Sequence, residues 1–199
     1  MIVIGLTGRT GSGKSTVGYF YKSLGAEYID TDKTSREVCI PDSPCLNELV
    51  SCFGKGILNP DGSLNRKRLG EIALGDGILY DKLNEITHRH ILERVRREIK
   101  EAKVKGAEIV VVDAPMLFES GFDRECDVII GVVANETDSI NRVAVRDGID
   151  AAAAKKRLEK QKSQDFIKEN CRFIIENNST VSELEAKAKD IFDKIRGKA

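Results

Sequence analysis

Apolar residues along the chain fall into five short runs, separated by longer stretches with a helical repeat. The runs are Ile2-Val3-Ile4-Gly5-Leu6, Glu27-Tyr28-Ile29-Asp30, Ile109-Val110-Val111-Val112-Asp113, Val128-Ile129-Ile130-Gly131-Val132-Val133 and Arg172-Phe173-Ile174-Ile175. All but the second are almost continuously apolar rather than alternating, the pattern of strands covered on both faces in a parallel sheet. Between them, Leu92, Val95, Ile99 and Ala102 keep one helical face apolar, and Gly106 ends that helix. Leu184, Ala188, Ile191 and Ile195 repeat the spacing near the C-terminus, where Ser182 and Glu185 read as a capping box and Gly197 follows the last turn. Strands alternating with helices predict an α/β fold with right-handed crossovers. Two stretches exceed a minimal crossover. Residues 32–105 read as an inserted, mainly helical region broken by the turn Asn59-Pro60-Asp61-Gly62, and residues 142–170 as a charged helical segment rich in Lys and Arg.

Composition then removes whole classes. The 199 residues suit one domain, 1–199, carrying a smaller insertion. Lys+Arg and Asp+Glu both number 32, so no net field recruits nucleic acid or an acidic membrane. No apolar run approaches the ~20 residues that span a bilayer, and the first run ends at once in Thr7-Gly8, which argues against an export signal. The five cysteines make no C-x-x-C pair, so they read as reduced thiols in a cytoplasmic protein.

The strongest chemical signal is Gly8-Arg9-Thr10-Gly11-Ser12-Gly13-Lys14-Ser15-Thr16, which matches G-x-x-x-x-G-K-[ST] between a strand and a helix. Glycines let backbone N–H groups converge on phosphate oxygens. Lys14 offers an ammonium to the β and γ phosphates, Ser15 offers a hydroxyl to Mg²⁺, and the helix N-terminus adds positive potential. Nucleotide phosphate binding follows from this loop; a particular reaction does not.

Beyond the loop, an ordered set of short motifs resembles the dephospho-CoA kinase family over nearly the whole chain. It runs from Ile4-Gly5-Leu6-Thr7-Gly8 through Leu24-Gly25-Ala26, Tyr28-Ile29-Asp30-Thr31-Asp32 with Arg36, and Phe53-Gly54. Asp61-Gly62-Ser63-Leu64-Asn65-Arg66 with Leu69 and Pro115-Met116-Leu117-Phe118-Glu119 continue it. Arg142, Arg146-Asp147-Gly148, Arg157 and Gln161 fall at the family's lid spacing, and Asn177 follows the last strand. The chain departs from the family pattern at Arg89 after His88, at Cys171-Arg172, at Arg9-Thr10 and at Ser139. The resemblance implies a five-stranded parallel sheet of P-loop kinase type with helices on both faces. It also implies an acceptor-binding region at 32–105 and a lid at 142–170.

The reaction it implies is transfer of the ATP γ-phosphate, with Mg²⁺, to the ribose 3′-hydroxyl of the small-molecule acceptor dephospho-CoA, by a monomer or small homo-oligomer. Such transfer is mainly positioning and charge neutralisation. By this resemblance Asp32 orients the hydroxyl and accepts its proton, although an Asp just past a strand is also a common helix cap. Arg142 and Arg146, four apart on one helix face, clamp the migrating phosphoryl, or else line a solvated face. Asp113, ending the third strand, is placed to hold Mg²⁺ through water together with Ser15. Gly8, Gly11, Ser12, Gly13, Lys14, Ser15, Thr16 and Asn177 are assigned to the nucleotide, Asn177 near the adenine or simply in a turn. Arg36, His88 and Glu119 are assigned to the acceptor. His88 and His90 diverge on a helix and are not spaced as zinc ligands. Two rivals keep the loop and change the chemistry: another small-molecule or nucleotide P-loop kinase, and a catalytically silent nucleotide-binding protein. A GTP switch lacks its Asn-Lys-x-Asp base reader.

Overall fold

Strand β1 (Ile2–Thr7) stands at the centre of a five-stranded parallel sheet in the computed structural model, which describes residues 1–197. Its neighbours are β3 (Ile109–Asp113) and β4 (Val128–Val133), with β2 (Glu27–Asp30) and β5 (Phe173–Glu176) at the edges, giving the order β2-β3-β1-β4-β5. All five apolar runs are strands. Every residue of β3 is buried, as its unbroken apolar pattern requires of a strand covered on both faces. The register pairs Leu6 and Asp30 with Asp113, and Thr7 with Gly131, so the carboxyl ends of four strands share one edge. In open parallel sheets that edge is where ligands bind.

One core cluster joins Ile4, Leu6, Val111, Ile130, Val132 and Ile175 of the sheet to helix α1 (Lys14–Ser23) and the C-terminal helix, α9 in chain order (Val181–Arg196). Tyr21 of α1 packs on Phe192 of α9 with ring centroids 5.0 Å apart. The cap of α9 differs from the expected Ser182–Glu185 box. Thr180 is the N-cap and its hydroxyl accepts from the Glu183 N–H at 3.3 Å, two residues earlier, because the extended backbone after β5 runs through Thr180 before it turns.

The chain divides into two units, one of Met1–Asp30 with the chain from Glu101 onward, the other of Thr31–Lys100. The second unit is helical: α2 (Thr31–Glu37), α3 (Pro44–Phe53), α4 (Arg66–Leu74) and most of α5 (Gly77–Val104). Ser43 and Asn65 cap α3 and α4 by accepting from the N–H of Leu46 and Arg68. Cys39, Cys45, Leu49, Ile57, Leu69 and Ile86 form its own core. Gly106, at φ +80°, ends α5, and the Ala107 N–H returns to the Ala102 carbonyl at 3.0 Å.

In the first unit α6 (Glu136–Asp147) begins six residues before Arg142, so the charged segment is longer than its composition indicates. Helix α7 (Ala151–Glu159) packs on it through Val143, Ala154 and Leu158, and α8 (Gln164–Asn170) leads into β5. No helix among the described residues is long and apolar enough to cross a membrane.

Candidate active site

The phosphate-loop motif occupies the turn from β1 into α1, at the carboxyl edge of the sheet. Its glycines are required by close approach. A Cβ on Gly11 would lie 2.4 Å from the Ser139 carbonyl oxygen, and one on Gly13 would lie 2.2 Å from Asn177 Nδ2. Gly13 also sits at φ +92°, in the left-handed region, immediately before Lys14 opens the helix. Asn177, only 7% exposed, donates from Nδ2 to the Ser12 carbonyl at 2.8 Å. That amide pins the loop from the carboxyl end of β5.

Lys14 forms an ion pair with Asp113 Oδ1, and the hydroxyl of Tyr28 donates to Asp113 Oδ2 at 2.7 Å. Asp113 is 2% exposed and ends β3 beside the loop. Ser15 and Thr16 are exposed in the first turn of α1. The Ser12 hydroxyl and Arg9 Nε are buried with no hydrogen-bond partner among the described residues, polar capacity that a bound anion would use.

The α6–α8 segment closes on the same loop. Arg142 Nη1 donates to the Gly11 carbonyl at 3.2 Å, and its Nη2 to the Asn177 carbonyl at 3.4 Å. Arg146 donates to Thr10 Oγ1 at 3.3 Å and pairs with Asp147 at 2.7 Å. Arg157 Nη1 donates to Asp147 Oδ2 at 2.5 Å, an oxygen that also accepts from Arg146 Nη2 at 3.0 Å. The hydrogen bond from Arg146, with the charges of Arg146 and Arg157, holds the Asp147 carboxyl below the usual carboxylate range. Gln161 Oε1 accepts from the Thr10 N–H at 2.9 Å, and Arg9 pairs with Glu136 at 3.3 Å. Glu119 is exposed on the loop after β3, in a cleft it lines with Thr7, Gly8, Arg9, Gln161 and Lys162.

The structure thus brings Gly8, Gly11, Ser12, Gly13, Lys14, Asp113, Arg142, Arg146 and Asn177 together around one loop, with Ser15 and Thr16 at its exposed end. Asp32, Arg36 and His88 belong to the other unit. Asp32 is exposed in the first turn of α2; since the helix already includes Thr31, Asp32 is its second residue rather than its cap. Arg36 is exposed in the last turn of the same helix, and His88 is half-buried on α5. Arg89, the departure after His88, pairs with Glu48, which His90 Nε2 also meets at 2.9 Å.

Three participants had no role from sequence. Gln161 and Asp147 were visible in the lid motifs, but a partner 151 positions away cannot be read from spacing. Tyr28 stands in a strand and in the motif Tyr28-Ile29-Asp30-Thr31-Asp32, neither of which points to Asp113 as its partner.

A model of the family described as dephospho-CoA kinase matches residues 2–183. A dephospho-CoA kinase of Corynebacterium efficiens is 36% identical over 195 residues, covering 98% of each chain. One from Moorella thermoacetica is 41% identical over 162 residues, 81% of this chain and 76% of that one. Among solved structures, a Thermus thermophilus protein superposes with TM-score 0.83, at 24% identity over 97% of each chain. The dephospho-CoA kinase of Campylobacter jejuni superposes with TM-score 0.73, at 24% identity over 99% of this chain and 98% of that one. These two establish the five-stranded kinase fold. Similarity sustained along nearly the full length, rather than at the phosphate loop alone, carries the assignment: the chain belongs to the dephospho-CoA kinase family.

Proposed function

We propose the following division of labour for the dephospho-CoA kinase reaction, the ATP-dependent last step of coenzyme A synthesis. The nucleotide side is the loop from Gly8 to Thr16. Lys14 leaves Asp113 for the β and γ phosphates as the triphosphate enters, exchanging one anionic partner for another. The donor set suits Mg²⁺: the oxygens beside the loop are the Ser15 hydroxyl and the buried Asp113 carboxylate, hard ligands of the kind this ion takes. Mg²⁺ takes most ligands from phosphate and water and needs few from protein. Ser15 would supply a hydroxyl and the Asp113 carboxylate a water-bridged contact; when bound, the ion neutralises charge on the phosphate oxygens.

Arg142 and Arg146 meet the migrating phosphoryl, Arg146 by giving up part of its pairing with Asp147. Asn177 holds the loop and lies on the side from which adenine is approached. The acceptor is taken by residues 32–105, with Arg36, His88 and Glu119 as contacts. Asp32 accepts the proton of the ribose 3′-hydroxyl as that oxygen bonds to the γ-phosphorus and the bond to the ADP oxygen breaks. Residues 142–170 act as the lid, excluding water that would otherwise hydrolyse ATP. The whole of 1–199 works as one kinase domain, a monomer or small homo-oligomer, in the cytoplasm, where five free cysteines are at home.

The observation that carries this reading is the convergence of Lys14, Asp113, Arg142 and Arg146 on one glycine-rich loop at the carboxyl edge of the sheet. The test is single-turnover ATP consumption with and without dephospho-CoA. ADP should form only with the acceptor, in equal amount with coenzyme A; ATP loss indifferent to dephospho-CoA would reject it.

A further inference from the structure

Helix α1 carries a glycine in its interior, Gly18, where alanine would favour the helix more. Its backbone angles give no reason for glycine. The reason lies across the gap to β2. A Cβ on Gly18 would stand 2.4 Å from Tyr28 Cε2 and 3.1 Å from the Tyr28 hydroxyl oxygen. The tyrosine ring lies directly on the helix backbone, with Tyr19 against it at 5.1 Å between centroids. From that seat the hydroxyl reaches Asp113 Oδ2 at 2.7 Å, while Oδ1 of the same carboxylate holds Lys14. Two unrelated features, a glycine that weakens its helix and a tyrosine with its hydroxyl aimed at a buried carboxylate, therefore meet in one arrangement.

We infer that Tyr28 is a positioning residue for the phosphate site. It fixes the rotation of the Asp113 carboxylate, so that one oxygen always faces the place shared by the Lys14 ammonium and the metal-bound phosphates. A carboxylate at a strand end has a broad terminal torsion. The phenol holds one oxygen in a set direction, and so sets the direction of the other. With Mg²⁺ bound and Lys14 moved to the phosphates, Oδ1 would be presented to the ion's water shell without the carboxylate having to turn. Gly18 is the seat that lets the ring lie close enough. The inference rests on the proposed role of Asp113 toward Mg²⁺, and its test separates the two.

The measurement is calorimetric binding of ADP to the intact protein, with Mg²⁺ and with a chelator, which involves no turnover. The quantity read is the factor by which Mg²⁺ tightens ADP. Tyr28→Phe keeps the ring in its seat and removes only the hydroxyl. It should lower that factor about tenfold, the scale of one hydrogen bond to a charged group, with metal-free ADP binding little changed and the melting temperature lower by a few degrees for the donor lost to the buried carboxylate. In an Asp113→Asn background the same substitution should cost nothing further. Gly18→Ala, which favours the helix but displaces the ring, should reproduce the loss. An unchanged Mg²⁺ factor in Tyr28→Phe, or an equal loss in both backgrounds, would overturn the inference while leaving Asp113 its role. If Asp113→Asn alone keeps the wild-type factor, the reading of Asp113 fails and the inference with it.

Discussion

Replacing Gly13 by alanine perturbs the loop in two separable ways. The first is conformational: at φ +92° a residue with a Cβ occupies a disfavoured region, costing about 1–2 kcal/mol. The second is steric. The new methyl would lie 2.2 Å from Asn177 Nδ2, so the amide must leave, and the buried Ser12 carbonyl loses the donor it holds at 2.8 Å. An orphaned buried acceptor costs about 1–3 kcal/mol. Together these predict a loss of about 2–5 kcal/mol, or roughly 4–20 °C in melting temperature at about 2–4 °C per kcal/mol for a chain of this size. Asn177→Ala alone removes the hydrogen bond without the strain, and should cost about 1–3 kcal/mol. The decisive variant is the double. With the amide already gone, Gly13→Ala should add only its backbone strain, leaving a coupling of about 1–3 kcal/mol between the two sites. Urea unfolding of the four proteins measures it. Costs that add to within about 0.5 kcal/mol would refute the claim that Asn177 and Gly13 are held in one contact.

Other outcomes follow from the same geometry. Lys14→Ala should abolish turnover and also lower the melting temperature, because the buried Asp113 carboxylate loses its cation; adding Asp113→Asn should restore the melting temperature but not the activity. Asp32→Asn should reduce kcat by at least ~10²-fold with the KM for ATP nearly unchanged, and wild-type turnover in that variant would remove Asp32 from catalysis. In the helical unit, hydrogen bonding from Cys45, only 3.4 Å away, lowers the Cys39 thiol to about 7 from 9.0 despite its burial, aided by Arg66 and His90, while Cys45 itself is pushed up. An acid whose folded value is depressed adds stability above its unfolded value, and that contribution is lost as pH falls through the folded one. Wild-type unfolding free energy should therefore rise between about pH 7 and 9 relative to Cys39→Ser; parallel profiles would contradict the lowered thiol.

How much could be read in advance depended on whether a feature is local in the chain. The five strands were legible because burial on both faces leaves an unbroken apolar run. The phosphate loop was legible because glycines and lysine must stand at set spacing to meet a phosphate. The cap of α9 was misplaced by two residues, since Ser182 and Thr180 are chemically equivalent and only the path of the backbone after β5 selects between them. The partners of the site residues were the least legible part. Nothing in the spacing of Arg142 says that it faces the Gly11 carbonyl 131 positions away, or that Asn177 supports the loop backbone. Gly18 is the instructive intermediate. A glycine inside a helix signals a close neighbour, but the sequence does not say which one, and only the sheet order brings Tyr28 to it.

The charges around the loop share a property that bears on selectivity. Four cations there have a resident acceptor: Lys14 has Asp113, Arg146 has Asp147, Arg9 has Glu136, and Arg142 has two backbone carbonyls. A site lined with uncompensated cations would take any phosphate, and the repulsion among those cations would weaken the fold. Here an entering anion must outbid partners already in place. A single phosphate offers too few contacts to release several of these pairs at once. On the proposed roles, a triphosphate would engage the loop N–H groups, Lys14, Arg142 and Arg146 together, so that contacts formed in the same event would offset the breaking of each pair. The carboxylates left behind are not wasted. On the proposed roles, Asp113 would exchange Lys14 for the divalent ion's water shell, and Asp147 would retain Arg157, 2.5 Å away, if Arg146 turned to the phosphoryl group. On this account Asp147→Asn should weaken discrimination rather than binding: the ratio of ATP to AMP affinity should fall, because Arg146 would be released for shorter ligands as readily as for the triphosphate.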